Sequence, residues 1–151
     1  MQRGSMPPFV FRLEQVLAYR QQLEEQAMLA LALVRARLDA RRRDEENCRA
    51  SLLAQREKLS RADALPAEER WLVAGYIRGL EQDLERARRD IPVLEEECDH
   101  CRTILIEKAK DRKLLEKLKE KQARHHHTAE TRKEQKYNDE IATLRYAAPS
   151  F

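Results

Sequence analysis

The chain has 151 residues, of which 38% are charged and only 5% are aromatic, with three glycines and five prolines. This Leu-, Ala-, Glu-, Arg- and Lys-rich composition predicts long helices or a coiled coil and excludes a thick globular core. The net charge of +3 does not by itself indicate a nucleic-acid partner. Three cysteines without a framework pattern fit a reducing cytosol better than a disulfide-stapled secreted domain.

The first predicted helix covers residues 9–64, and residues 1–8 are assigned to a disordered start or a cloning scar. Apolar residues recur three and four positions apart, the heptad spacing that holds one stripe of a helix against a partner helix. Between Val34 and Leu38 the step is four where three is due, which predicts a stutter that locally unwinds the supercoil. The expected stripe is Leu13, Val16, Arg20, Leu23, Ala27, Ala30, Val34, Leu38, Arg41, Glu45, Cys48, Leu52, Gln55, Leu59 and Ala62.

The second predicted helix covers residues 66–146 and starts at Pro66, because proline is tolerated in the first turn of a helix. Pro92 lies inside this helix, where a missing backbone hydrogen bond predicts a kink and not an end. The heptad stripe runs through the proline without interruption. Its members are Ile77, Leu80, Leu84, Ala87, Ile91, Leu94, Cys98, Cys101 and Leu105.

The short connection at Leu65 and Pro66 makes the two helices antiparallel neighbours, with residue numbers that sum to about 131 across the pair. This register places the basic residues of 35–43 opposite the acidic residues of 90–97. It also leaves the second helix unpaired beyond about Arg124. The predicted fold is therefore all-α, a single coiled-coil domain formed by a long antiparallel two-helix hairpin whose second helix is the longer one.

The Cys98–Cys101 pair admits two interpretations. A structural zinc site needs four ligands, and only Cys48 and the distant histidines 125–127 remain to complete one. Both cysteines fall on the heptad stripe, where a cysteine serves as a small apolar residue, so we favour a core role over a metal site. With no nucleophile–base pair, phosphate loop or carboxylate pair in a cleft, we expect no enzymatic activity, cofactor or metal.

Two surfaces are predicted to bind partners. One is the hairpin tip, where Trp71, Leu72 and Tyr76 lie on a thin two-helix structure that covers large side chains only in part. For Trp71, packing against Leu59 across the hairpin is the equal alternative. The other surface is the end that holds both termini, formed by Phe9, Phe11, Leu13, Arg132, Lys133, Lys136, Tyr137, Ile141, Leu144 and Arg145.

Three stretches resemble the flagellar FliJ family. They are residues 9–20 (FVFRLEQVLAYR) with the following Glu24-Glu25 and Ala/Leu-rich run, residues 110–121 (KDRKLLEKLKEK), and residues 134–142 (EQKYNDEIA) with Leu144-Arg145. The length and the two-helix plan also match, so the resemblance covers nearly the whole chain. Pro92 and the Cys98–Cys101 pair depart from the family pattern.

The resemblance implies a stalk that inserts its paired termini into the pore of the hexameric flagellar export ATPase. It further implies that the chain links the ATPase to the export gate membrane protein and to export chaperones at the cytoplasmic face of the inner membrane. We expect a monomer when the chain is alone, and no nucleic-acid partner. The alternatives are a stalk protein of virulence type III secretion or a generic coiled-coil spacer.

Overall fold

The computed structural model describes residues 7–61 and 65–147. Within these ranges the chain forms two α-helices and no β-strand, α1 at Glu14–Ser60 and α2 at Ala67–Ala147. The predicted all-α fold with a longer second helix is therefore confirmed. The predicted start at residues 1–6 and the predicted end of the first helix at residues 62–64 lie outside the described residues.

α1 begins five residues later than Phe9, the predicted start. The backbone N–H of Glu14 donates to the carbonyl oxygen of Phe11 at 3.2 Å, and the regular helix follows from there. Phe9 and Phe11 are two residues apart, so in a non-helical, extended segment both side chains can face the same side. In a helix the two rings would lie on nearly opposite sides.

α2 begins directly after Pro66, whose carbonyl oxygen accepts a bond from the backbone N–H of Arg70 at 3.1 Å. Glu68 and Glu69 lie in the first turn, where negative charge favours the positive end of the helix dipole. α2 continues through Pro92 as one helix. The kink expected at that residue stays a prediction.

The predicted stripe of α2 is confirmed, because all nine of its residues from Ile77 to Leu105 are buried or half-buried. In the first half of α1 the predicted stripe is wrong at Leu13, Val16 and Ala30, which are exposed. The other predicted positions of this half are buried or half-buried as expected, namely Arg20, Leu23, Ala27 and Val34. Val16 is 41% exposed whereas Leu17 is 4% exposed, and Leu31 is buried in place of Ala30. The observed stripe is Leu17, Arg20, Glu24, Ala27, Leu31, Val34 and Leu38, with Leu13 exposed.

This corrected stripe alternates steps of three and four from Leu17 to Leu38, so the stutter predicted between Val34 and Leu38 is absent. The physical reason is the size of the side chains, since burying Leu17 and Leu31 removes more apolar surface from water than burying Val16 and Ala30. From Arg41 to Leu59 the predicted stripe is buried or half-buried as expected. Its last member, Ala62, lies outside the described residues.

The contacts divide the chain into two units. The tip unit is residues 25–107 and holds two apolar clusters. One contains Leu52, Val73, Ile77, Leu80 and Leu84, and the other contains Val34, Leu38 and Cys98.

The guanidinium of Arg41 donates to Oδ2 of Asp90 from two nitrogens, at 2.6 and 2.9 Å, and Arg42 pairs with Glu95 at 3.2 Å. These pairs confirm the antiparallel register of this unit.

The terminal unit is residues 1–24 and 108–151, of which the structure describes 7–24 and 108–147. Arg20 pairs with Asp111 at 3.3 Å, and Lys119 pairs with Glu14 at 2.8 Å. The residue numbers of Arg20 and Asp111 sum to 131, as do those of Arg41 and Asp90 in the tip unit. The predicted register therefore holds within each unit.

Candidate partner-binding surfaces

The stripe of the terminal unit combines apolar residues, such as the buried Leu17, with several charged side chains. Arg112 donates to Glu24 on α1 and to Glu116 one turn along α2, the latter at 2.7 Å. The hydrogen bonds from Arg112 to these two carboxylates, the one to Glu24 foremost, raise the pKa of the guanidinium above its ordinary value. Since the side chains of Arg112 and Glu24 are mostly shielded from water, this pair is the polar centre of the unit.

The non-helical start of the chain packs against α2 at His126. Nε2 of His126 lies 2.9 Å from the carbonyl oxygen of Pro7, which only accepts, so the histidine is the donor. The Phe9 ring lies 5.8 Å from the His126 ring, centroid to centroid, with the two planes tilted by 47°. These contacts extend the pairing beyond Arg124. Among the described residues, α2 is without a cross-helix contact only after about Glu130, so the predicted start of the overhang moves by about two turns.

Three of the residues predicted for the terminal surface lie in or beside this segment, and they differ in their environment. Phe11 is 5% exposed, so its side chain contributes to the interior of the hairpin and offers no free contact surface. Phe9 is half-buried, and Leu13 is exposed. The two-residue spacing of the phenylalanines indicates an extended segment with both rings on one side. The prediction of a helix from Phe9 onward overlooked this pattern.

The remaining predicted residues of this surface lie on the part of α2 from Thr131 to Ala147. Among the described residues of this part, Ile141 alone is half-buried and every other residue is exposed. Tyr137, Ile141 and Leu144 share one helix face by their spacing of four and three. The exposed basic residues around this face are Arg132, Lys133, Lys136 and Arg145, of which Lys133 lies 3.6 Å from Glu130.

The hairpin tip presents a second apolar surface. Trp71 is 71% exposed, and Leu72 and Tyr76 are also exposed, whereas Val73 and Ile77 on the opposite face are buried. Ala67, Glu68, Trp71 and Leu72 line a shallow depression. Leu59 packs against the cluster around Leu52, so the alternative in which Leu59 covers Trp71 does not hold.

The cysteines lie in or beside the apolar core. Cys98 is 2% exposed between Val34 and Leu38, and Cys101 packs against the same cluster. Cys48 packs beside Leu52, and burial, together with the charges of Asp83 and Asp44, raises the pKa of its thiol. Within residues 7–61 and 65–147 there is no group of three or more side chains placed to hold a metal ion.

The family model of the flagellar FliJ protein matches residues 9–150. The chain belongs to the FliJ family. This match contains all three stretches on which the resemblance was based, and it assigns this FliJ-family chain to flagellar type III export. No curated protein and no solved structure matches the chain. In the part that the structure describes, neither helix has an apolar segment long enough to cross a membrane.

Proposed function

We propose that this FliJ-family chain is a non-enzymatic stalk of the flagellar export apparatus, without a cofactor. Its terminal unit inserts into the hexameric export ATPase and promotes assembly and activity of the hexamer. The hairpin tip contacts the cytoplasmic part of the export gate, which places the chain at the cytoplasmic face of the inner membrane. Export chaperones are further partners.

The observation that carries this proposal is the stripe of Tyr137, Ile141 and Leu144, in which Tyr137 and Leu144 are exposed and Ile141 is half-buried. A charged helix with an apolar stripe that nothing covers normally marks a binding surface. α2 is helical through this part, and its length suits insertion between other helices or loops. The surrounding lysines and arginines favour an acidic pore and accelerate encounter more than they add affinity.

The tip supports the link to the gate by the same reasoning. Trp71 and Tyr76 are large aromatic side chains that remain exposed on a thin structure, and such residues are common anchors in protein interfaces. They lie in the tip unit, whereas the stripe that we assign to the ATPase lies in the terminal unit. One chain therefore offers two separate surfaces to two partners.

Truncation after Glu130 tests the ATPase contact. This position keeps every described cross-helix contact, including the bond between His126 and Pro7. The truncated chain should stay helical by circular dichroism and monomeric at low micromolar concentration by light scattering, yet lose stimulation of the ATPase. Full stimulation by the truncated chain would contradict the proposal.

A matched pair of variants refines this test without shortening the chain. The double substitution Tyr137→Ala/Leu144→Ala removes two residues of the stripe. Gln135→Ala/Thr143→Ala changes two exposed residues on other faces of the same helix. We expect the first variant to lose most of the stimulation and the second to retain it, since only the first removes apolar contact area.

The tip is tested with the purified cytoplasmic domain of the export gate. Trp71→Ala and Tyr76→Ala should each weaken binding, whereas Glu85→Ala, on an exposed residue of the same helix more than two turns beyond Tyr76, should not. A generic spacer would bind neither the gate nor the ATPase. Native mass spectrometry distinguishes a stalk from a generic spacer by stoichiometry, because a stalk binds as one copy per ATPase hexamer.

A further inference from the structure

The segment Ala27–Val34 of α1 consists of eight successive apolar residues. One face of this part of the helix is buried against α2, and that face holds Ala27, Leu31, Val34 and Leu38. With 3.6 residues per turn, eight successive residues surround the helix completely. Part of the apolar run must therefore face away from α2.

The outward face carries a second stripe, which we call the outer stripe. It is formed by Leu29, Leu33, Ala36 and Ala40, with steps of four, three and four. Leu29 is 66% exposed and Leu33 is 62% exposed, and both alanines are exposed as well. The steps equal those of the buried face, so this part of α1 has a heptad stripe on both sides.

A helix that is apolar on all sides is normally covered on all sides. A stripe with heptad spacing is the shape that accepts another helix, because each large side chain can enter a gap between side chains of the partner. The small residues Ala30 and Ala32 beside the stripe let such a helix approach closely. Neither surface of the proposed stalk function uses this face.

The order of residues along the outer stripe is complementary to itself. The two leucines come first and the two alanines follow, so the reversed stripe presents alanine wherever the original presents leucine. A twofold axis between Leu33 and Ala36 places Leu33 opposite Ala36 of a second copy, and Leu29 opposite Ala40. Large side chains then meet small ones at every level of the contact.

The charges beside the stripe have the same symmetry. Glu25 and Arg43 are eighteen residues apart, which is five full helical turns, so both lie on the same side of the outer stripe. A twofold axis perpendicular to the helices brings this side of both copies together, with Glu25 of each copy beside Arg43 of the other. Among the described residues both side chains are exposed and neither has an ion pair, whereas the neighbouring Arg41 and Arg42 pair with α2.

We propose that the outer stripe joins two copies of this chain, α1 against α1 and antiparallel, through Leu29 and Leu33 with reciprocal Glu25–Arg43 ion pairs. With four apolar residues per copy, the contact lies at the lower end of interface sizes, so we expect a weak and reversible association. The chain is then a monomer when dilute and a reversible dimer where many copies gather. This inference is independent of the stalk function.

Sedimentation equilibrium of the full-length chain between about 10 and 500 µM tests the dimer over a concentration range suited to a weak association. Leu29→Gln/Leu33→Gln should weaken dimerisation at least tenfold, because glutamine keeps the helix but removes the apolar contact. Leu53→Gln, on the same helix and 66% exposed, should dimerise like the unmodified chain. A monomer at all concentrations, or a dimer unaffected by the double substitution, would overturn the proposal.

Charge reversal tests the antiparallel register. Glu25→Arg and Arg43→Glu should each weaken the dimer, because each creates a like-charge pair at both ends of the contact. An equimolar mixture of the two single variants should dimerise, as should the double variant Glu25→Arg/Arg43→Glu, because both arrangements restore opposite charges. If either the mixture or the double variant fails to dimerise, the assigned register is wrong. All substituted residues are exposed, so each variant should fold, which circular dichroism checks.

Discussion

The tip unit and the terminal unit use the same heptad geometry with different side chains. In the tip unit the inward positions are mostly Leu, Ile, Val, Ala and Cys, which form two apolar clusters. In the terminal unit the corresponding positions include Arg20, Glu24 and Arg112, which pair with one another or with nearby carboxylates. Apolar contacts stabilise the first unit, whereas oriented ion pairs largely determine the register of the second.

This difference predicts unequal stability along one hairpin. Burial of apolar surface is the dominant favourable term in folding, whereas ion pairs that water still reaches contribute little net stability. The terminal unit should therefore open locally while the tip unit stays paired. Four measurements can contradict this view or make it more exact.

The largest effect is expected for Leu52→Ala in the tip unit. Leu52 is 2% exposed at the centre of an apolar cluster, so its truncation leaves a cavity and should lower the free energy of unfolding by about 2–3 kcal/mol. Leu53→Ala, at the exposed neighbouring position, is the control and should change it by less than about 0.5 kcal/mol. Urea denaturation followed by circular dichroism measures both. Equal effects would show that the cluster does not carry the stability.

A smaller and local effect is expected for Arg112→Glu in the terminal unit. The substitution replaces two ion pairs with repulsion among Glu24, Glu116 and the new carboxylate. Hydrogen exchange, followed by mass spectrometry, should become faster in residues 14–24 and 108–126 and stay unchanged in the tip unit. Arg102→Glu is the control, because Arg102 pairs only with Asp99 on its own helix.

Salt should separate the two units without any substitution. Raising the salt concentration from about 0.1 M to about 1 M shortens the screening length from about 10 Å to about 3 Å, which weakens exposed ion pairs and leaves apolar contacts intact. Hydrogen exchange should therefore become faster in the terminal unit and remain slow around Leu80 and Leu84. Faster exchange in both units by the same factor would contradict the assignment of separate stabilising forces.

The smallest effect concerns Glu45 in the tip unit. A hydrogen bond from Arg49 at 2.6 Å, with a weaker one from Arg88, lowers the pKa of Glu45 below its ordinary value of 4.5. A carboxylate with a lowered pKa stabilises the folded state above its ordinary pKa, and the contribution disappears as the pH falls through the lowered value. The difference in unfolding free energy between the original chain and Glu45→Gln should thus be constant above the ordinary pKa and decrease as the pH falls below it, through the lowered value.

The sequence predicted the helix α2 well because its stripe from Ile77 to Leu105 allows one register only. Charged residues separate the apolar ones over most of that stretch. The run of Ala27 to Val34 offers no such contrast, and periodicity alone could not decide between Ala30 and Leu31. The ion pair of Glu24 with Arg112 also hid an inward position, since a charged residue such as Glu24 at a heptad position resembles a solvated one.

The candidate surfaces were predictable to the extent that they lie off the inward stripe. Trp71 and Tyr76 are exposed for this reason, and so are Tyr137 and Leu144. Phe11 was not predictable from a helical pattern, because the residues before Glu14 are not helical and bury this ring against the hairpin. The contact of Phe9 with His126 joins residues far apart in sequence. A periodic pattern within one segment cannot predict such a contact.

The part of α2 beyond Glu130 has a thermodynamic consequence. It extends for about 25 Å, and among the described residues its contacts are local, such as the hydroxyl of Thr143 donating to the carbonyl oxygen of Asp139. Isolated helices of this length are marginal in water, and their helix content falls with temperature. Binding of this segment therefore includes a coil-to-helix equilibrium, so its measured association enthalpy should become more negative on warming as more of the helix must form upon binding.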